Sequence, residues 1–362
     1  FKHKKPSGVW IMAYTTIDKP SDFFETKLYV GNESTNAITG LDFQPDWVWL
    51  KNRDTSYYHG LYDSVRGTGN TKSLYSNASE AEGQNSGNMN LASFNSDGFT
   101  LGATSSTNII NKSSQNHVSW NWKAGTSFTN DASSTGIGGI DSAGSFNNTA
   151  GFSIVTYTGN AGTTTVKHGM NVAPKMIWFK RRNADSTNWY IYHASIGQGK
   201  RLVLNTTAAE AADTEYMNNT APTTSVFSLG PSGTVNTTGT HLAYCFAQIK
   251  GYSKIGSYTG NNNANGTFVY TGFKPAYVIT KVTNTTDGWM TFDNKRNPHN
   301  VMDKYITANG TGADSTRDSI DFVSNGFKLR VANTDCNNGT YIYMAFAENP
   351  FVTSTGVPAT AR

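Results

Sequence analysis

The chain has 362 residues, a formal net charge of +4, 15% charged residues and 12% aromatics, with Gly, Asn, Thr and Ser abundant. Its polarity comes from hydroxyls and amides, and it has rings to bury, which excludes a charged disordered chain and points to an all-β protein rich in turns. The charge is mild, its clearest cluster being Lys2, His3, Lys4 and Lys5. With no basic stripe or reading motif this argues against nucleic acid as a partner, and no apolar run approaches the ~20 residues needed for membrane insertion.

Residues 1–23 read as an N-terminal arm, a candidate attachment peptide. From Leu28 the chain runs LYVGNESTNAITGLDFQPDWVWLKNRD, and the pattern returns at Thr156 as TYTGNAGTTTVKHGMNVAPKMIWFKRRN and at Ser257 as SYTGNNNANGTFVYTGFKPAYVITKVTN. Each copy has an aromatic-x-Gly-Asn, a polar turn, a proline (Pro45, Pro174, Pro275) and a short apolar strand ending in lysine (Lys51, Lys180, Lys281). Strand alternation puts Trp47 and Trp49 on one face and Val48 on the other. The other copies carry Met176 with Trp178 and Tyr277 with Ile279 there, so a packed strand fits better than a ligand platform.

GLYDSVRG, YIYHASIG and MTFDNKRN follow, placing Asp63, His193 and Asp293 at one position. FNSDGFTLG and FVSNGFKLR read as hairpins turning at Asp97-Gly98 and Asn325-Gly326, with a looser FSLGPSGTV between them. Each copy closes on an apolar strand, VSWNWKAG, LAYCFAQIKG or IYMAFAENPF, which aligns Trp122, Phe246 and Phe346.

The expected architecture is three tandem antiparallel β-sandwich repeats of roughly 100 residues each, jelly-roll-like, at 24–125, 151–251 and 252–351. The low-charge tract 126–150 is expected as an extended or flexible linker, and 352–362 as a C-terminal tail. The second and third repeats abut at KGYSKIGSYTGN and should pack rigidly, while the first is free to sit apart. At most a helical turn is expected at Ala208–Met217 and in SEAEG from Ser79.

Little points to catalysis. His193 reads as a local variation, and Glu25, Glu80, Glu82, Glu210, Glu215 and Glu348 suggest no glycosidase pair. No nucleophile elbow or phosphate loop is present, and TGIGGID reads as linker. Cys245 and Cys336 read as two free thiols. The expectation is no enzyme and no cofactor, with no Cys/His cluster for zinc and calcium the one metal left open, because Asn333–Thr340 offers hard oxygen ligands in a turn. For ligand contact the candidates are Tyr57, Tyr58, Trp189 and Trp289, since rings in loops stack on sugar C–H faces; each serves equally to cap its own sandwich.

On MAYTTIDKPSDFF, QPDWVWLKNRD, NSDGFTLG, VSWNWKAG, HGMNVAPKMIWFKRRN, YIYHASIG, YTGFKPAYVI and YIYMAFAENPF, the chain resembles repeated β-sandwich proteins of tailed, often marine, bacteriophages, usually labelled as virion or tail-fibre-like structural proteins. The resemblance covers Met12 to Phe351 and carries over no catalytic or ligand residues. It implies a virion surface location, a tail fibre or spike attaching to host cell-surface glycan, self-association as a homotrimer, and contact with other virion proteins through the N-terminal arm. The alternatives are a capsid-decorating protein, a secreted bacterial lectin-like adhesin and a polysaccharide-degrading tailspike enzyme.

Overall fold

Short runs of alternating apolar residues, many aromatic or β-branched, form the strands, and the protein is all-β with several antiparallel sheets. The structure, a computed structural model, describes residues 2–4, 10–12, 15–84 and 86–350. The expected tail 352–362 lies outside these residues, as does part of the arm, in which Lys2–Lys4 pairs antiparallel with Trp10–Met12.

The three repeated segments make the same four-strand pairing. In the first, Phe24–Val30 pairs with Asn116–Trp122, which pairs with Trp47–Asn52, which pairs with Gly60–Asp63. The second repeats this order with Phe152–Thr158, Thr240–Phe246, Met176–Arg181 and Tyr190–His193. In the third it is Ser253–Thr259, Thr340–Pro350, Phe273–Val282 and Trp289–Asp293. The register is also kept, with Trp47 opposite Trp122, Met176 opposite Phe246 and Tyr277 opposite Phe346.

Alternation then assigns the two faces of each sheet. Val48 and Leu50 face a core belonging to the first repeat, with Tyr62, Phe99 and Leu101. Trp47 and Trp49 point the other way, into a core to which all three repeats contribute, including Trp120 and Trp122, Trp178 and Tyr244, Tyr277 and Phe346. Trp47 is stacked on Trp122 at 4.3 Å and on Tyr244 of the second repeat at 4.5 Å, while Phe24 is stacked on Phe346 of the third at 5.0 Å. Each buried indole removes ~150–250 Å² from water, worth roughly 4–6 kcal/mol before entropy is counted. This far exceeds an exposed ion pair, so the rings hold the repeats together. The first repeat therefore does not sit apart, as the tract before the second had suggested.

That tract is not a linker either. Thr126–Asn130 and Ser142–Asn147 form a hairpin whose second strand pairs along Phe152–Thr158. Asp131 caps a short helix, Ala132–Thr135, by accepting from the Ser134 N–H at 3.1 Å. Phe128 and Phe146, 5.9 Å apart, pack on the second repeat's own core. The Ala208–Met217 stretch contains no helix, only the two-residue strand Ala211–Ala212.

The hairpin glycines have a different role from the one expected. Asn95 pairs with Gly98 and Val323 with Gly326, so the turns are Ser96–Asp97 and Ser324–Asn325. A Cβ on Gly98 would lie 1.9 Å from the Ile38 carbonyl oxygen, and one on Gly326 would lie 2.1 Å from that of Val269. These glycines permit close approach of a neighbouring strand. Both thiols are free and buried, Cys336 included, although it lies in a polar turn.

Candidate functional site

The four candidate ligand contacts separate into two groups. Trp189 and Trp289 are fully buried, at 0% and 1% exposure. A buried indole N–H needs an acceptor, and each finds one on the preceding repeat: Trp189 Nε1 donates to the Tyr75 carbonyl at 2.8 Å, and Trp289 Nε1 to that of Val203 at 3.0 Å. His59 holds the same place in the first repeat. The Trp49 indole donates to its Nδ1 at 2.8 Å, so Nε2 carries the hydrogen, toward the Thr307 carbonyl of the third repeat at 3.2 Å. The backbone N–H of all three donates to an asparagine, Asn77, Asn205 or Asn309. Second to first, third to second and first to third, these contacts close a ring. Neither tryptophan presents a face to a ligand, which corrects the expectation for both. Tyr57 and Tyr58 are half-buried against the first repeat's own core, Tyr58 lying 5.4 Å from Tyr75.

The Asp/His/Asp position is built the same way. Asp63, buried, accepts from the Tyr244 hydroxyl of the second repeat at 2.7 Å and from Arg66 Nε at 2.5 Å. Asp293 accepts from Trp120 Nε1 of the first repeat at 3.0 Å and from Arg296 Nε at 2.5 Å. At the third such place the neighbour is Met344, which has no donor, and both members of the ion pair are replaced, by His193 and Ile196. The Ser195 N–H donates to His193 Nδ1 at 3.1 Å, leaving Nε2 to face the Tyr343 carbonyl at 3.3 Å. Burial drives the His193 pKa down to about 4, so the imidazole is neutral. The charge pattern thus follows the hydrogen-bonding capacity of the residue across the seam.

The three strand-ending lysines lie in the same seams. Lys51, Lys180 and Lys281 are 0%, 1% and 0% exposed. Lys180 Nζ donates to the Ser79 carbonyl of the first repeat at 3.0 Å, Lys281 Nζ to that of Thr207 in the second at 3.2 Å, and Lys51 Nζ to its neighbour Asn52 at 2.8 Å. Desolvation pulls their pKa values down to about 7, 7 and 8 for Lys51, Lys180 and Lys281. Beside each runs one backbone bond of 2.8 Å across the seam: Glu82 N–H to Arg182, Glu210 N–H to Thr283 and Asp314 N–H to Arg53. Arginine there pairs with the acid, as in Arg53–Asp314 at 2.8 Å; where Thr283 replaces it, Glu210 takes Lys200 at 2.6 Å.

The aromatic-x-Gly-Asn motif is a latch. Tyr29, Tyr157 and Tyr258 donate their hydroxyls to the carbonyls of Ile110, Val235 and Cys336 at 2.6, 2.8 and 2.7 Å. The next residues, Asn111, Asn236 and Asn337, are fully buried and accept from the backbone N–H of Asn32, Asn160 and Asn261. In the turn considered for calcium, Asp335 is ion-paired to Arg317 at 2.6 Å, and the Asn337 amide donates to Asn261 Oδ1 and to the Asn263 and Val331 carbonyls. Among the described residues no three His, Cys, Asp or Glu side chains converge as a metal would require.

Among the described residues, two open grooves have threonine and serine in their walls. One, of about 660 Å³, lies between the 126–150 hairpin and the second repeat and is lined by Asp131, Asp141, Thr156, Thr158, Arg182 and Thr240, among others. The other, of about 260 Å³, lies between the second and third repeats and is lined by Lys200, Glu210, Ser257, Thr283, Asn284 and Thr340, among others. None of Asp63, His193, Asp293 or the seam lysines lines either groove. Sequence reasoning missed both because their walls are ordinary threonines and serines, which alignment marks only as polar.

No curated protein and no solved structure matches the chain. One family model does, over residues 19–350, a single stretch that takes in the three repeated segments and the 126–150 hairpin. By that match the chain belongs to the family described as Domain of unknown function (DUF7483).

Proposed function

We propose that the chain is a structural protein of a tailed-phage virion, a tail fibre or spike that attaches to host cell-surface glycan, built from three jelly-roll-like sandwich repeats closed into a ring. One observation carries the reading: the residues able to do chemistry are committed to holding the repeats together. The Trp189 and Trp289 indoles, Asp63 and Asp293 of the buried Asp–Arg pairs, His59 and His193, and Lys180 and Lys281 each meet a group of a neighbouring repeat. What faces solvent in the grooves is mainly hydroxyl and amide, a surface suited to weak, repeated polar contact and not to bond-making. A cofactor-free, non-enzymatic role follows from this reading. In the proposed homotrimer each chain contributes its own ring, with the N-terminal arm as the contact to other virion proteins.

Gold-labelled antibody against the purified chain, applied to intact particles from the source, tests the location. Label at the tail is the expected result. Label over the head points to capsid decoration, and particles without label overturn the virion reading in favour of a secreted adhesin.

A further inference from the structure

The two grooves share a wall, made from corresponding positions of successive repeats. Thr158 pairs with Thr240 and Thr259 with Thr340 at the same register. The Arg182 N–H donates to the Thr240 carbonyl and the Thr283 N–H to that of Thr340, both at 2.8 Å. Thr156, Thr240 and Arg182 therefore line the first groove where Ser257, Thr340 and Thr283 line the second. The side chains of Thr158, Thr240, Ser257 and Thr340 are exposed at these walls. Along the central strands this wall lies at the Thr240 and Thr340 end. The opposite end carries Phe246 and Phe346, beside which Phe23 packs on Tyr252 at 6.0 Å and the described chain ends at Pro350. The grooves thus open at the end away from Phe23 and Pro350.

The first repeat departs from this pattern. Leu28 occupies the position of Thr156 and Ser257, Val30 that of Thr158 and Thr259, and they are 37% and 59% exposed. The hydroxyl wall is thus a property of the second and third repeats only.

The charged groups at the grooves are already matched. Arg182 is held by Glu82 across the seam, and Lys200 by Glu210 at 2.6 Å. Asp131 caps the 132–135 turn and Asp141 accepts from the Ala132 N–H at 2.8 Å. Two exposed carboxylates without a free cation disfavour an anionic ligand, and hydroxyls with amides suit a neutral one. The larger groove falls within the ~300–1,000 Å³ usual for ligand sites and the smaller just below it. Without an exposed ring at either wall, each site alone is weak, and two sites on one rigid body gain by avidity on a repeating polymer.

From this we infer that the paired grooves on the second and third repeats are binding sites for neutral glycan, each taking a short run of uncharged sugar units from one polysaccharide. The inference rests on the attachment reading above and gives it a ligand class and a place.

The test uses the full chain and biolayer interferometry against immobilised dextran, mannan and chitin oligosaccharides as neutral probes, with alginate as the polyuronate. Binding to at least one neutral probe and none to alginate is expected. The pair Thr158→Trp with Ser257→Trp, filling both grooves from exposed positions, should weaken that binding at least tenfold. A second pair, Thr240→Tyr with Thr340→Tyr, should do the same, and Leu28→Trp at the corresponding place in the first repeat should leave binding unchanged, all with the urea midpoint of the parent. Parent-like binding by both filled pairs overturns the grooves as the site and leaves glycan attachment standing. Preference for alginate overturns the ligand class. No binding to any neutral probe overturns the inference, and only unlabelled particles overturn the virion reading with it.

Discussion

The buried Asp63–Arg66 pair offers a test of why the three repeats differ where they do. Both side chains are fully buried, and Arg66 also donates to the Lys72 carbonyl at 2.6 Å and the Leu61 carbonyl at 3.1 Å. Removing the cation with Arg66→Met leaves a buried carboxylate facing only Tyr244 and backbone N–H groups, which costs about 3–5 kcal/mol. The protein itself shows an alternative solution, His193 with Ile196 opposite Met344. The triple variant Asp63→His, Arg66→Ile, Tyr244→Met copies that solution into the first seam, with the Ala243 carbonyl in the place of Tyr343's. It leaves without a donor the same two carbonyls that Arg66→Met does, a cost the two variants share, and removes both charges. The triple variant should therefore be more stable than Arg66→Met alone, by about 2 kcal/mol. In urea, at an m of about 3 kcal/mol/M, the single variant should lose about 1–1.7 M in midpoint and the triple variant about half of that. A triple variant no more stable than the single one would refute the idea that charge in a seam is set by the donor across it.

Three further outcomes follow from the shared core, the latches and the buried titrating groups. Trp189→Ala and Trp289→Ala should each lower stability by about 3–5 kcal/mol, read by urea unfolding; a loss of glycan binding with no change in midpoint would show these rings to be outside the core. Gly159→Ala should cost several kcal/mol, because its Cβ would lie 2.1 Å from the Thr237 carbonyl oxygen, whereas Gly197→Ala, with nothing within 4 Å but φ +81, should cost only about 1 kcal/mol of backbone strain; equal losses would refute the close-approach account. Stability should rise with pH between about 7 and 10, since Lys51, Lys180 and Lys281 are depressed to about 7, 7 and 8 and the unfolded chain binds the extra protons there, up to about 1.4 kcal/mol per pH unit per lysine. Above pH 10 the sign reverses, because buried tyrosines such as Tyr62 and Tyr216 are raised and only the unfolded chain loses those protons. Lys180→Met should flatten the rise, and a flat profile for the parent from pH 7 to 10 would show the seams to be wet.

What was legible in the sequence was whatever recurs. The strand pattern, the three correspondences of proline, lysine and ring, and the burial of Trp47 and Trp49 all follow from a period that alignment exposes. The partners of those residues were not legible, because Trp189 and Tyr75, or Trp120 and Asp293, meet across repeats at sequence separations of 114 and 173. Low charge and few rings also made 126–150 read as linker, although Phe128 and Phe146 are enough to seat a hairpin on an edge that was already there. The hairpin glycines misled in another way: Asp-Gly and Asn-Gly suggest a turn conformation, whereas Gly98 and Gly326 are required by the strand that crosses beside them.

The departures from repetition carry the more specific information. Three identical copies would close a ring equally well as one chain or as three, and any copy would fit any neighbour. Here each seam has its own chemistry: Asp63 with Tyr244, Asp293 with Trp120, and neutral His193 against the Met344 position. An exchanged neighbour leaves either a buried aspartate without its donor or a donor without its acceptor, at about 1–3 kcal/mol or more for each group left unpaired. The divergence therefore fixes the order of the repeats around the core. The same asymmetry confines the hydroxyl walls to the second and third repeats and leaves Leu28 and Val30 exposed on the first. A ring closed in this way is free to vary its outer surface one repeat at a time, since the rings of the aromatic core and the buried Asp, His and Lys positions that hold it together line neither groove.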